Sequence, residues 1–359
     1  MQRIRLRRRR SRFPLTLSRA VLLLTAALLV AVSSYTMGYR LTWKDAKEPD
    51  LASQAQQIIS SVKPVLPGAP AAQQETDWRR MVGRISKLAR RYPGHVAVEL
   101  EDLSRGERWT YHPDELFPSA SLIKVPIMAC VFAKIHEGGM SLDDIEVIGR
   151  KDRRSGSGSL KWRPAGTHIT VRELLRHMIT ESDNTAAAVF IRLLGYDYLR
   201  EHFAQLGLVK TSISRQGMSL RSGRVANENY TTAREMSSLL ERIYRGQLID
   251  PASSQTMLDI LREKKAVATR LAKGLPAGWE IAHKTGLLRR ACHDSAIIFT
   301  PRGPYLMTVL TGRNPNYRVA KSFITRLGHA TFPFWGANPV RIVHHRRRGG
   351  HRRSLALRD

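Results

Sequence analysis

The sequence predicts a single α+β domain whose sheet is assembled from distant parts of the chain. Two observations lead there: stretches of strand character stand at both ends of the globular region, and stretches of helical periodicity fill its middle. Strands that pair over such a separation, with a helical insertion between them, make one sheet with helices packed on it.

The elements follow in order. From about Asp77, DWRRMVGRISKLARRY sets Met81, Ile85 and Leu88 at helical spacing with basic residues between. HVAVELEDL and ERWTYH then flank Ser104-Arg105-Gly106 as a hairpin. HITVRELLRHMI, AAAVFIRLLG and YTTAREMSSLLERIYRG read as amphipathic helices. GWEIAHKTG, HDSAIIFTP and PYLMTVLTG read as three consecutive strands, and YRVAKSFITRLGHATF as a closing helix.

Composition bounds the rest. With 359 residues, 42% of them hydrophobic, the chain has material for a sizeable core, which excludes wholesale disorder and fibrous or disulfide-scaffold classes. Its two cysteines, Cys130 and Cys292, lie far apart with no ligand spacing, so no metal site is expected and one disulfide is the maximum. The net charge of +29 brings nucleic acid to mind, but residues 1–19 carry +8 and residues 341–359 carry +6, leaving +15 on the other 321. The body is moderately basic, and the tails need their own explanation.

Ala20 to Tyr39 is a run of twenty residues without a charge, preceded by an Arg-rich segment, 1–19. At 1.5 Å per residue a helix of that length crosses a hydrocarbon core of about 30 Å. The arginines hold the amino end in the cytoplasm, so the reading is a single-pass signal-anchor in the cytoplasmic membrane with the globular domain outside, periplasmic or otherwise extracytoplasmic. A cleaved signal peptide ending near Ala31-Val32-Ser33, giving a secreted protein, is the rival. Residues 40–76 read as a linker with one short helix around Leu51–Val62, residues 77–335 as the globular domain, and 336–359 as a basic disordered tail. The tails suit anionic lipid headgroups, and export makes nucleic acid the less expected partner.

Three short motifs carry the chemistry. Ser121-Leu122-Ile123-Lys124 on a helix sets a hydroxyl and an amine one turn apart, where they can share a proton. Alone the pattern means little, since Ser60-Ser61-Val62-Lys63 repeats it in the linker. Ser182-Asp183-Asn184 and then Lys284-Thr285-Gly286 follow it in the chain. Each specified tripeptide occurs by chance in roughly a few per cent of chains this long, so the ordered set is informative. Taken separately, the first tripeptide would be a helix N-cap and the second a strand end with a glycine turn.

With these motifs, and with FPSASLIKVPIM, GSGSLKWRPAGTHITVRELLRHMITESDNTAA and HDSAIIFTPRGPYLMTVLTG around them, the chain resembles the penicillin-recognising serine hydrolases, specifically the class A β-lactamase family, over about residues 77–333. The resemblance implies an antiparallel sheet flanked by helices plus an all-helical lobe, with the site in the cleft between them. It implies that Ser121 is the acylated nucleophile, Lys124 its proton partner, and Ser182 a relay to the departing amide nitrogen. Asn184 would orient Lys124 and the substrate amide, while Lys284 and Thr285 would hold the substrate carboxylate. Gly286 would leave the strand bare against the substrate, and the backbone N–H groups of Ser121 and Leu287 would form an oxyanion hole. No cofactor or metal is implied, and the oligomeric state is left open. Two lysines in one cleft are expected to lower each other's pKa.

One family feature is missing. The resemblance calls for an ExxLN loop whose glutamate activates the deacylating water, yet here the stretch is Ser214-Arg215-Gln216-Gly217-Met218-Ser219-Leu220-Arg221. Aligned on Leu220, Gly217 replaces the glutamate and Arg221 the asparagine. Between Glu201 and Glu228 there is no acid; Glu228 reads as a loop charge, with substitute base as the alternative. The expectation is therefore an acylating serine hydrolase weak in β-lactam deacylation. The alternatives are a D-alanyl-D-alanine peptidase acting on cell-wall peptides and a catalytically silent scaffold binding cell-wall material or an antibiotic. Cys130, His283 and His293 read as packing residues, Cys292 as part of the turn after the third motif, and Arg289 and Arg290 as turn arginines in reach of an anionic substrate.

Overall fold

The computed structural model describes residues 71–217, 227–263 and 269–336. The chain divides into Met1–Ala71 and Ala72–Asp359, and apart from Ala71 the described residues belong to the second unit. The expected anchor 20–39, the basic segment 1–19 and residues 337–359 lie outside the described residues, as does the short linker helix. Among the described residues no helix is long and apolar enough to cross a membrane.

The first described helix, α1, spans Ala71–Arg90, so regular structure begins inside the stretch assigned to the linker. Trp78, Met81, Ile85 and Ala89 recur at helical spacing and lie on its buried face. The hairpin strands β1 (His95–Asp102) and β2 (Arg108–Tyr111) follow, as the sequence predicts. A short strand β3 (Phe117–Pro118) leads into a 3-10 turn, Ala120–Ile123, and then α2 (Lys124–His136). Ser121 therefore stands on the tight turn, and Lys124 opens the helix proper, where the sequence reading placed both on one helix. Residues Lys124–Ala133 are all buried, as suits a helix at the centre of a lobe.

β4 (Ile145–Ile148) pairs with β5 (Thr167–Thr170), and α3 (Val171–Thr180) starts only after it. HITVRELLRHMI is thus strand first and helix second, because Thr170 caps α3 in a box with Glu173. α4 (Asn184–Leu194) and α5 (Tyr196–Gln205) complete this side. YTTAREMSSLLERIYRG divides similarly: Tyr230–Thr231 is strand β6, paired with β3, and Thr232 caps α6 (Ala233–Tyr244). α7 (Pro251–Arg262), capped by Asp250 with proline at its first position, was not legible as a helix in the sequence.

The expected strands β7 (Glu280–Leu288), β8 (Ala291–Phe299) and β9 (Tyr305–Gly312) form a meander, and α8 (Tyr317–Trp335) closes the fold. The main sheet has the order β2-β1-β9-β8-β7, antiparallel throughout, so β1 pairs along its length with β9 from the far end of the domain. On one face Val98, Leu100, Met307 and Val309 pack with α1 and α8, where Trp335 stacks on Tyr305 at 3.9 Å. On the other, Ala97, Leu306 and Leu310 meet Met236 and Leu240 of α6 and the core of the helical lobe. Each fully buried Val, Leu or Met side chain among these contributes about 1.5–3 kcal/mol relative to exposure. β7 is an edge strand, and at Gly286 it lies against the turn Ala120–Ile123.

Candidate active site

The three motifs converge. Lys124 Nζ lies 3.5 Å from Ser121 Oγ and donates to the Ser182 carbonyl at 2.5 Å, to Ser182 Oγ at 3.2 Å and to Asn184 Oδ1 at 2.7 Å. From β7, Lys284 Nζ reaches the same hydroxyl, 2.9 Å from Ser182 Oγ. One serine hydroxyl thus bridges two lysine amines, although 102 residues separate Ser182 from Lys284.

Local backbone strain aims these groups. Ala120, immediately before Ser121, has φ +49°, and Ser182 has φ +56°. Left-handed backbone costs a non-glycine residue about 1–2 kcal/mol. At Ser182 it turns the carbonyl inward, where Ser157 Oγ also donates to it at 2.7 Å. Asp183, fully buried, accepts from the N–H groups of Thr185, Ala186 and Leu160 at 2.7–2.9 Å. It is the N-cap the sequence suggested, and it also fastens the loop before Leu160 to α4. Gly158 is required there, with φ +100° and room for no Cβ, which would lie 2.0 Å from Asp183 Oδ2. His177, Glu181 and Asp183 cluster in a way a metal could use, but the Asp183 oxygens are already committed to those backbone N–H groups.

The electrostatics favour proton transfer at neutral pH. Burial pushes Lys124 down from its ordinary value to about 7, while the Asp183 carboxylate acts in the opposite sense. The expectation that the lysines lower one another is replaced by desolvation as the cause. A neutral amine in this position can accept a proton from the Ser121 hydroxyl at 3.5 Å, and the Ser182 hydroxyl lies 3.2 Å on its other side.

Gly286 lies where β7 meets the turn Ala120–Ile123. A Cβ there would lie 3.1 Å from Ala120 Cβ and from His293 Cδ2 and 3.3 Å from the Ser119 carbonyl, so the missing side chain makes room for that turn. His293 holds that turn from beneath, its Nε2 2.7 Å from the Pro118 carbonyl, and burial lowers its pKa to about 4. His283 packs against Asp294 at 2.8 Å. Cys130 and Cys292 are both free and buried, and Cys292 lies on β8 instead of in the turn.

Ser121, Lys124, Ser182, Asn184, Thr285 and Leu287 line one cavity of about 530 Å³. Gly217, Glu228, Arg154, Arg215 and Tyr196 line it too, and only the first two of these figured in the sequence reading of the site. Leu220 and Arg221 lie outside the described residues. The sequence also gave no sign of Arg270, an isolated residue outside any motif. It is buried behind β7, with Nη2 3.4 Å from the Gly286 carbonyl and Nε 3.2 Å from Cys292 Sγ. Neither Arg289 nor Arg290 is among the cavity's lining residues.

A serine beside a buried, deprotonable lysine, in a cleft between a sheet edge and a helical lobe, defines a serine hydrolase of the acyl-enzyme type. The comparisons with known proteins agree. Residues 80–335 match the beta-lactamase enzyme family, and the chain belongs to it. A beta-lactamase of Streptomyces albus G is 29% identical over 247 residues, which cover 64% of this chain and 76% of that protein. The crystal structure of a beta-lactamase from Sphaerobacter thermophilus superposes with a TM-score of 0.66 at 26% identity, covering 72% of this chain and 98% of that one. A mutant of PBP-A, solved as an acyl-enzyme complex with penicillin G, gives a TM-score of 0.65 at 27% identity, with 71% and 96% covered.

Proposed function

We propose that this protein is acylated at Ser121 by β-lactams or by related amides and esters, and that it releases a β-lactam-derived acyl group slowly. The observation that carries the reading is the bridging of Ser121, Lys124 and Ser182 by hydrogen-bond distances in one cavity. Neutral Lys124 takes the Ser121 proton as Oγ bonds to the substrate carbonyl carbon. The C–N bond then breaks, and the proton passes through the Ser182 hydroxyl to the departing nitrogen. Asn184 orients Lys124 and the substrate amide, Lys284 and Thr285 hold the substrate carboxylate, and the N–H groups of Ser121 and Leu287 stabilise the oxyanion, where losing one donor costs about 3 kcal/mol. Water completes the hydrolysis. Slow release follows from Gly217, which puts no carboxylate where the family's loop glutamate is expected.

A D-alanyl-D-alanine peptidase is the second reading, favoured by the same glycine. A departing D-amino acid leaves the cavity and admits water, whereas an opened β-lactam stays tethered in it. The sequence further supports anchoring through residues 20–39 with the domain outside the cytoplasm, and contact of the basic tails with anionic lipid. Labelling with a fluorescent penicillin tests the core of the proposal: an adduct on the wild type and none on Ser121→Ala supports it. No adduct on either favours a silent binding scaffold.

A further inference from the structure

The cavity extends well beyond the reacting serine. Asn184, Ala188 and Ile191 form its wall along one face of α4. Seven residues of helix carry that wall about 10 Å away from Asn184. Beyond its end stands Tyr196, at the start of α5, with Arg154 and Arg215 also lining the cavity. The Arg215 guanidinium lies 5.0 Å from the centre of the Tyr196 ring. Arg154 Nη1 turns to the carbonyls of Lys151 and Arg153.

Neither arginine makes an ion pair with any described carboxylate. The acidic side chain in the lining, Glu228, accepts from the Asn229 N–H and pairs with neither of them. Burial raises the Tyr196 phenol, and Arg215, Arg154 and Arg200 oppose that shift, which shows all three cations to be its neighbours. The phenol remains a hydrogen-bond donor at neutral pH. Two guanidinium groups and a phenol O–H thus line one cleft, Arg215 and Tyr196 together beyond the end of α4 and Arg154 rooted beside Thr185 at its start, a donor set suited to a planar carboxylate.

We propose that Arg154, Arg215 and Tyr196 form a second carboxylate site, so that the preferred acyl donor carries a negative charge on its acyl side, about 10 Å from the reacting carbonyl, in addition to the carboxylate held near Lys284. The proposal rests on the acyl-enzyme reading above and narrows its substrate class to dianionic acyl donors, such as peptides with an acidic side arm.

A matched pair of penicillins tests it: 6-aminopenicillanic acid acylated with adipate, and the same nucleus acylated with hexanoate. The two differ only in a terminal carboxylate at about this reach. With the purified full-length chain at low salt, the adipoyl compound is expected to acylate about tenfold faster. The ratio should fall toward one in 0.5 M salt and in the Arg154→Ala/Arg215→Ala double variant. Calorimetry on Ser121→Ala reads the same ratio as non-covalent binding. Equal acylation of the pair, or a ratio untouched by the double variant, overturns the site while leaving the acyl-enzyme reading intact. A retained binding ratio without any ester overturns the acyl-enzyme reading and leaves the site. No binding and no ester with either compound overturns both.

Discussion

Gly217 packs so closely on Asn229 that a Cβ at position 217 would lie 2.3 Å from the Asn229 Oδ1 and 2.6 Å from its backbone nitrogen. Asn229 is itself fixed, because its Oδ1 accepts the Ser214 N–H at 2.8 Å. The loop is therefore built around a glycine and has no vacant place for a glutamate. Gly217→Glu is expected to destabilise the domain by about 1–3 kcal/mol through overpacking and to leave penicillin release slow. Thermal unfolding and the release rate check this; an undiminished Tm together with release a hundredfold faster would refute it.

The Lys124 amine, lowered by burial to about 7, sets the pH dependence of acylation. The reactive form is the neutral amine, which is lost as pH falls through that value. The second-order acylation rate constant should rise about tenfold per pH unit below about 6 and level off above about 8. Stopped-flow acylation across this range provides the profile. A rate that is flat from pH 5 to 8 would exclude Lys124 as the base.

Asp183 couples stability to reactivity. Its buried carboxylate caps α4 and holds the Leu160 N–H, so Asp183→Ala should cost about 2–4 kcal/mol. Asp183→Asn keeps an acceptor but removes the charge that raises Lys124. The acylation profile of that variant is expected to move to lower pH, a shift that a purely structural role would not produce.

Gly286→Ala tests the close approach of β7 to the nucleophile turn. The added methyl would press on Ala120 and the Ser119 carbonyl, and acylation should fall about tenfold with a stability loss near 1 kcal/mol. Unchanged acylation would show that the turn yields at no cost.

What the sequence made legible depended on how local its signals were. The hairpin around Ser104-Arg105-Gly106, the three closing strands and the helix at Tyr317 all carry their periodicity within one segment. The boundaries at Thr170 and Thr232 were misplaced because short strands β5 and β6 take their identity from partners elsewhere, Ile145–Ile148 and Phe117–Pro118. Ser121, Lys124, Ser182, Asn184 and Lys284 were legible since they belong to short motifs in a fixed order. Arg270, Tyr196 and Arg154 were not, because only the folded chain brings them near the site. The lowered Lys124 pKa was anticipated, but from charge repulsion; its source is burial, which a sequence does not display.

Acylation of Ser121 with slow release can be followed by intact-mass spectrometry of the protein mixed with benzylpenicillin and sampled over time. A single adduct, absent from Ser121→Ala, is expected to form at stoichiometric drug and to persist long after the free drug is removed. Continuous turnover of many equivalents of penicillin with no accumulating adduct would contradict it.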